Sequence, residues 1–481
     1  MFQSLASSLI TFFAVLLFAL VVLFLWSGSD GLQFERVAME GDRSTQAVME
    51  EFRRQALAAA ESAMDQRVRD DPDPAPAAAR GDGPPVVVWI SIPGFRGDYL
   101  ERSPTSFFDD LAANGGGTNK MRPNFPCLTF PAHATMATGT HVGTHGIVAD
   151  RIRTAPGEVQ VQPTDRSLLL AEPIWETATR QGITTLVHDW PLSQNQTGEH
   201  AAAGFLDGYD PELGDEARLE RAFEAWKQLS AAAEDPAARV RLVMLKLNDI
   251  LTAGLTQGPR DEATYSAVAA TDKALAAFRD KLKAEWGELA PPEANLVFFI
   301  TTDHGLAEID KNVNLEHLLG PDLMANADVV AHDAIANLYF KDLPESEGEQ
   351  KIFIDRFDAE LSRRIYFRTL KREDLPDEWH YRHERIGDRV LVLKAGYAFA
   401  DHRAEEPVFD PVEGPGFFGG FGYPVSESIR MSGQVILGGF PNSPLSGTLD
   451  EFDQLPFHAT VCKMLGIEPA PGAHAEPLPV K

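Results

Sequence analysis

Cysteine is nearly absent: the 481 residues include two, Cys127 and Cys462. That count excludes a disulfide framework of the kind that staples small secreted domains, and both thiols read as small buried hydrophobes. Basic residues are short as well, 43 Lys and Arg against 71 Asp and Glu, for a net charge of −28. Such a balance excludes nucleic acid as a partner, because a polyanion is repelled by an acidic surface. No Lys or Arg precedes the apolar run at residues 9–26, and the first acidic side chain is Asp30. A cleaved leader starts with basic residues and has a shorter apolar stretch, whereas a run of about 18 residues spans a bilayer core. The sequence therefore predicts a signal anchor within residues 1–34, with cleavage near Ser27-Gly28-Ser29 as the alternative. The missing basic flank leaves its orientation unread. Internal repeats are lacking too.

Hydrophobic residues, at 44%, suffice for a large core. Residues 35–70 are rich in helix formers and read as a helical stalk; residues 71–85 collect Pro, Ala, Gly and Asp and read as an extended linker. A globular domain is expected over 86–475. It opens with Val86-Val87-Val88-Trp89-Ile90-Ser91-Ile92, a continuous apolar run of the kind that forms a strand buried on both faces. Strands are also expected at 184–187, 240–247 and 295–301, alternating with helical stretches at 106–114, 174–181, 219–233 and 266–288. This alternation predicts an α/β fold with a mostly parallel central sheet and helices on both faces, in which ligands bind at the carboxyl ends of strands.

Several blocks fall just after these strands. They include Pro93-Gly94-Phe95-Arg96, then Cys127-Leu128-Thr129-Phe130-Pro131-Ala132-His133, then Thr138-Gly139-Thr140-His141-Val142-Gly143-Thr144-His145-Gly146, and later Thr302-Asp303-His304-Gly305. In their order and linkage these blocks resemble the nucleotide pyrophosphatase/phosphodiesterase family of the alkaline phosphatase superfamily. The resemblance implies an alkaline phosphatase-like fold with a small inserted lobe, at about 336–404, and an extracytoplasmic domain behind its membrane anchor.

It also implies chemistry: two zinc ions, each on three protein ligands, clamping an in-line phosphoryl displacement by a metal-activated threonine. Thr129 falls at the nucleophile position, and Asp303 and His304 at two ligand positions. The other four ligand positions fall on Pro93, Leu251, Leu255 and Phe421, none of which has a ligand atom in its side chain. An apolar cluster cannot hold a dication; it packs together or lines a greasy pocket. The family's phosphate-binding Asn falls on Asp150, which when ionised can only accept hydrogen bonds and repels phosphate.

Two readings of these residues stay open. Asp249, two residues before Leu251 on one side of a strand, is a candidate displaced ligand, and Asp150 with Asp303, His304 and Thr129 is a candidate one-metal site. Alternatively, Asp303 and His304 satisfy each other without metal, Thr129 caps the helix after it, and His133, His141 and His145 are structural. The expected protein is a membrane-anchored member with a decayed site, a pseudoenzyme that holds none or at most one divalent metal and acts by binding an unknown small ligand or protein partner. The alternative is an active hydrolase of phosphodiester, pyrophosphate or related ester bonds that uses one metal and Thr129 as nucleophile.

Overall fold

A computed structural model describes residues 83–400, 406–411 and 418–481. The anchor expected at 1–34, the stalk at 35–70 and most of the 71–85 linker lie outside these described residues. The expectation of a single-pass membrane protein is corrected on this point, because among the described residues no helix is long and apolar enough to cross a membrane. The 23-residue helix Glu262–Ala284 buries only seven side chains, including Val268, Leu275, Phe278 and Leu282, which is one face of an amphipathic helix. The described fold, from residue 83 on, has no transmembrane helix. The membrane partner and the extracytoplasmic, single-pass location expected with that helix find no support among the described residues.

Eleven strands make the two main sheets. In chain order they are β1 (Pro85–Ser91), β2 (Gly115–Met121), β3 (Thr185–His188), β4 (Leu242–Lys246), β5 (Asn295–Thr301), β6 (Ala327–His332), β7 (Ile335–Phe340), β8 (Phe367–Lys371), β9 (Arg389–Leu393), β10 (Gly433–Phe440) and β11 (Gly447–Thr448). The central sheet runs in the order β11-β2-β10-β5-β1-β4-β3. Strand β1 pairs in parallel with β4 and β5, β3 in parallel with β4, and β10 alone runs antiparallel to both its neighbours.

Both faces of this sheet are buried, as the unbroken apolar runs require. Alternate residues of β1 enter two separate cores: Val87 and Trp89 pack with Val297 and Phe299 of β5 on one face, and Val86, Val88 and Ile90 with Leu296, Phe298 and Ile300 on the other. Such a period-two split is what a strand covered by helices on both sides produces. It leaves the carboxyl ends of β1, β4 and β5 side by side, with Ser91 in register with both Lys246 and Thr301. The residues that follow these ends, Pro93, Asn248 and Asp303, are thereby brought to one edge.

The second sheet, antiparallel in the order β6-β7-β9-β8, spans Ala327 to Leu393. Its β6–β7 connection is tight: Asp333 adopts a left-handed conformation with φ of 47°, which Asp tolerates better than bulkier residues. That turn reaches the carboxyl edge of the central sheet and delivers His332 and Asp333 to it.

Candidate functional site

The helix Thr129–Thr138 begins at this edge, with Leu128 at its N-cap position and no side-chain cap from Leu128. Thr129 does not cap it either. Its hydroxyl lies 3.2 Å from His304 Nε2, and the helix end is capped from a distance by Asp150, whose Oδ1 accepts the Phe130 N–H at 2.7 Å. A carboxylate at a helix N-terminus is favoured by the exposed N–H groups and the helix dipole. The expectation that Thr129 acts as cap is thus corrected: the sequence-distant Asp150 takes that role.

His304 donates from Nδ1 to its neighbour's carbonyl, Gly305 O, at 2.7 Å, which leaves Nε2 to accept from the Thr129 hydroxyl. Asp303 is only half satisfied. Its Oδ1 accepts from the His304 N–H at 2.6 Å and from the Gly94 N–H at 3.3 Å. Oδ2 has no hydrogen-bond donor, and sits 3.3 Å from His304 Nε2 and 3.7 Å from His133 Nδ1. His133 is itself fully buried and donates to Thr129 O at 2.8 Å; burial pushes its ring down to about 4. His145 is held between Thr135 Oγ1 and the Ile147 N–H, and His141 stacks on His380 at 3.8 Å. These three histidines have local structural partners.

The residues at the four non-ligand positions converge on the same place. Phe421 stacks on the His304 ring at 4.2 Å between centroids and 14° between planes. Leu251 and Phe421 share one hydrophobic cluster, against which Leu255 packs. Pro93 sets the turn after β1, where Gly94 has φ of 71° and a Cβ would meet Leu251 Cδ1 at 3.2 Å. Where a second carboxylate would aim at a metal, the chain instead aims a backbone N–H at Asp303.

Asp249 is not on a strand. It is in the first turn of the helix Asp249–Thr256, and its Oδ2 accepts from the Asp215 N–H at 3.0 Å, so the displaced-ligand reading is overturned. Among the described residues, no group of three or more His, Cys, Asp or Glu side chains could hold a metal ion. Beside the surviving Asp303 Oδ2, His304 Nε2 and Thr129 Oγ1 stands the Phe421 ring, stacked on His304, and a zinc site needs three or four ligand side chains. These residues do not fit a zinc pair.

A cavity of about 470 Å³ opens beside Thr129, lined by Asp150, Lys246, Asn248, Leu251, Leu255, His332, Asp333 and Phe421 among others. Four of these, Lys246, Asn248, His332 and Asp333, carry no motif and were missed by the sequence. Only the lysine leaves a trace: it ends the otherwise apolar run Leu242-Val243-Met244-Leu245 at a strand's carboxyl edge. His332 Nδ1 lies 3.7 Å from Asp150 Oδ2 and 3.5 Å from Asp333 Oδ2, close enough for ion pairs. Burial opposes every charge in the trio, however. It pushes Asp150 up to about 7, with the Asp303 charge adding to the effect, holds Asp333 well above the usual carboxylate range, and pushes His332 down to about 3. Desolvation thus favours the neutral form of each member of the trio.

Comparison with known proteins agrees with this architecture. The profile described as Type I phosphodiesterase / nucleotide pyrophosphatase matches residues 87–419. The chain is 25% identical over 329 residues to the bis(5'-adenosyl)-triphosphatase enpp4 of Xenopus laevis, covering 66% of this chain and 67% of that protein. It is 24% identical over 413 residues to ectonucleotide pyrophosphatase/phosphodiesterase family member 7 of Rattus norvegicus, covering 80% and 84%. Among solved structures, murine ectonucleotide pyrophosphatase / phosphodiesterase 5 superposes with a TM-score of 0.66 at 21% identity, over 81% of this chain and 97% of that one.

Proposed function

The chain belongs to the type I phosphodiesterase / nucleotide pyrophosphatase family, and from that premise we propose that its domain acts by binding a ligand in the cavity beside Thr129 and not by two-metal hydrolysis. The observation that carries this reading is the Phe421 ring, stacked at 4.2 Å on the His304 imidazole with Leu251 in the same cluster. An aromatic ring and an aliphatic side chain fill space that a hydrated dication and its carboxylates would need, and neither can coordinate. The names of the relatives assign them nucleotide hydrolysis. Extending that activity to this chain would require an electrophilic clamp that its side chains do not assemble.

One observation favours a competing reading. The Thr129 hydroxyl is hydrogen-bonded at 3.2 Å to His304 Nε2, the geometry of a nucleophile beside its general base. In that reading His304 takes the hydroxyl proton as Thr129 attacks an ester. It lacks an orienting acid, since the far ring nitrogen is held by the backbone carbonyl of Gly305, and among the described residues no group of metal-holding side chains stands ready to clamp the attacked phosphoryl group.

Metal content and turnover of the purified chain test the proposal together. After dialysis the expected zinc content is under about half an equivalent per chain, because two side-chain ligands cannot retain the ion. Bis(4-nitrophenyl) phosphate should not be hydrolysed above background in zinc-supplemented buffer. Two equivalents of zinc, or turnover abolished in Thr129→Ala, would replace the binding reading with the hydrolase one.

A further inference from the structure

The Lys246 ammonium is the unusual group in the cavity. The residue is only 6% exposed, and its Nζ reaches two neutral oxygens, Tyr209 Oη at 3.1 Å and Asn248 Oδ1 at 3.3 Å, with the Tyr209 ring 4.6 Å away. Among the described residues it has no carboxylate partner. A buried ammonium without a counterion is costly, and proteins normally pair such a group or neutralise it. Lys246 nevertheless lines the open cavity, as do Leu251, Leu255 and Phe421, so a cation and an apolar wall face one space.

We propose that this cavity binds an amphipathic carboxylate, its anionic head on Lys246 and its apolar body against Leu251, Leu255 and Phe421. The inference rests on the binding reading of the same site and adds the class of ligand.

A single negative charge fits better than two. Of the acidic residues lining the cavity, Asp189 already faces two guanidinium groups, those of Arg218 and Arg221. Asp150 and Asp333 lie at ion-pair distance from His332, at 3.7 and 3.5 Å, and not from Lys246. One ammonium therefore remains to be balanced, and a phosphate dianion would bring a second charge towards three carboxyl groups. The Phe130 N–H that could have bound a further anionic oxygen is already taken by Asp150 at 2.7 Å. A volume of about 470 Å³ lies within the range of small-molecule sites, roughly 300–1,000 Å³.

The test is calorimetric titration of the full chain with 4-phenylbutyrate, its neutral amide and phenyl phosphate. The carboxylate should bind saturably at one per chain, at least tenfold tighter than the amide and tighter than the phosphate dianion. Lys246→Met should cost the carboxylate at least tenfold and leave the amide unchanged, in a protein that unfolds at no lower denaturant concentration than the parent. Equal binding of amide and carboxylate, tighter binding of the phosphate, no binding of the carboxylate, or full affinity in Lys246→Met would each overturn the proposal. The comparison among the three probes needs no variant, so it decides even if Lys246→Met fails to fold. Zinc-dependent hydrolysis would defeat the parent reading and leave the carboxylate result standing, whereas loss of carboxylate binding in a zinc-free, inactive protein defeats this inference alone.

Discussion

Replacing Asp150 by Asn exchanges one carboxyl oxygen for an amide NH2 and leaves the shape of the side chain intact. The retained Oδ1 can still accept the Phe130 N–H that Asp150 accepts at 2.7 Å, so the cap on the helix Thr129–Thr138 survives. What the substitution removes is a titration. Burial moves the Asp150 carboxyl from its ordinary value of 3.8 up to about 7. Between those two values the folded chain holds a proton that the unfolded chain has released. Stability therefore falls as pH rises through this window, and the favourable contribution of the neutral acid, complete below pH 3.8, is gone above about 7. At 1.36 kcal/mol per unit, the loss amounts to about 4 kcal/mol, against a total stability on the order of 5–15 kcal/mol.

Asn has no proton to lose, so the stability difference between Asp150→Asn and the parent should be small near pH 4. It should grow by up to about 1.4 kcal/mol per pH unit and level off near 4 kcal/mol above pH 7. The groups facing the side chain, His332, Asp333, Asp303 and Lys246, are present in both proteins, so their own titrations largely cancel in the difference. Guanidinium unfolding at intervals from pH 4 to 8.5, with equal slopes for both proteins, supplies the measurement. A difference that stays flat over this range, or one that shrinks as pH rises, would refute the account of Asp150 as a buried acid kept neutral by desolvation.

Phe421→Ala should destabilise by about 3–5 kcal/mol, since a nearly buried ring packed on His304 leaves a cavity; a loss below about 1 kcal/mol in denaturant unfolding would mean that the ring is not packed as described. Both thiols are buried and burial raises their pKa, that of Cys462 to about 12. A disulfide-exchange reagent should accordingly label neither in the native chain within minutes and both after unfolding, and prompt native labelling would contradict their burial. The combined variant Pro93→Asp, Leu251→Asp, Leu255→His, Phe421→His and Asp150→Asn should gain tightly bound zinc measurable by elemental analysis. It should also be several kcal/mol less stable than the parent without the metal; a folded variant that binds no zinc would show that these positions do not surround a common point.

The central strands were legible because their pattern is local. Five consecutive apolar residues from Val86 need no distant information to be read as a strand covered on both faces, and the run of β5 from Leu296 to Ile300 is of the same kind. Positions whose conformation is set from far away could not be read this way. The stretch Asn248-Asp249-Ile250-Leu251 looks like a continuation of β4, yet the chain turns into a helix there. The Asp215 carboxylate accepts the Asn248 and Asp249 N–H groups at 2.6 and 3.2 Å from more than thirty residues away, which makes this point a helix start. Asp150 capping at Phe130 is the same effect over twenty residues. His332 and Asp333 were missed for a further reason: they reach the site on a turn between two strands of the second sheet, with no spacing that marks a ligand pair.

These departures share an electrostatic logic. A two-zinc site brings four positive charges and needs several carboxylates to balance them; without the ions, the same carboxylates would repel one another in a place too buried for water to screen them. Four of the positions assigned to ligands by family resemblance, Pro93, Leu251, Leu255 and Phe421, carry no charge, and Lys246 supplies a cation of its own. Asp303 is steadied by two backbone N–H groups on one oxygen, and Asp150 by one N–H and by protonation at neutral pH or below. The residual charge is thus close to what an ion-free pocket can carry. The exception is the Lys246 ammonium, whose partners are neutral, and it is at this group that an anionic ligand would complete the balance.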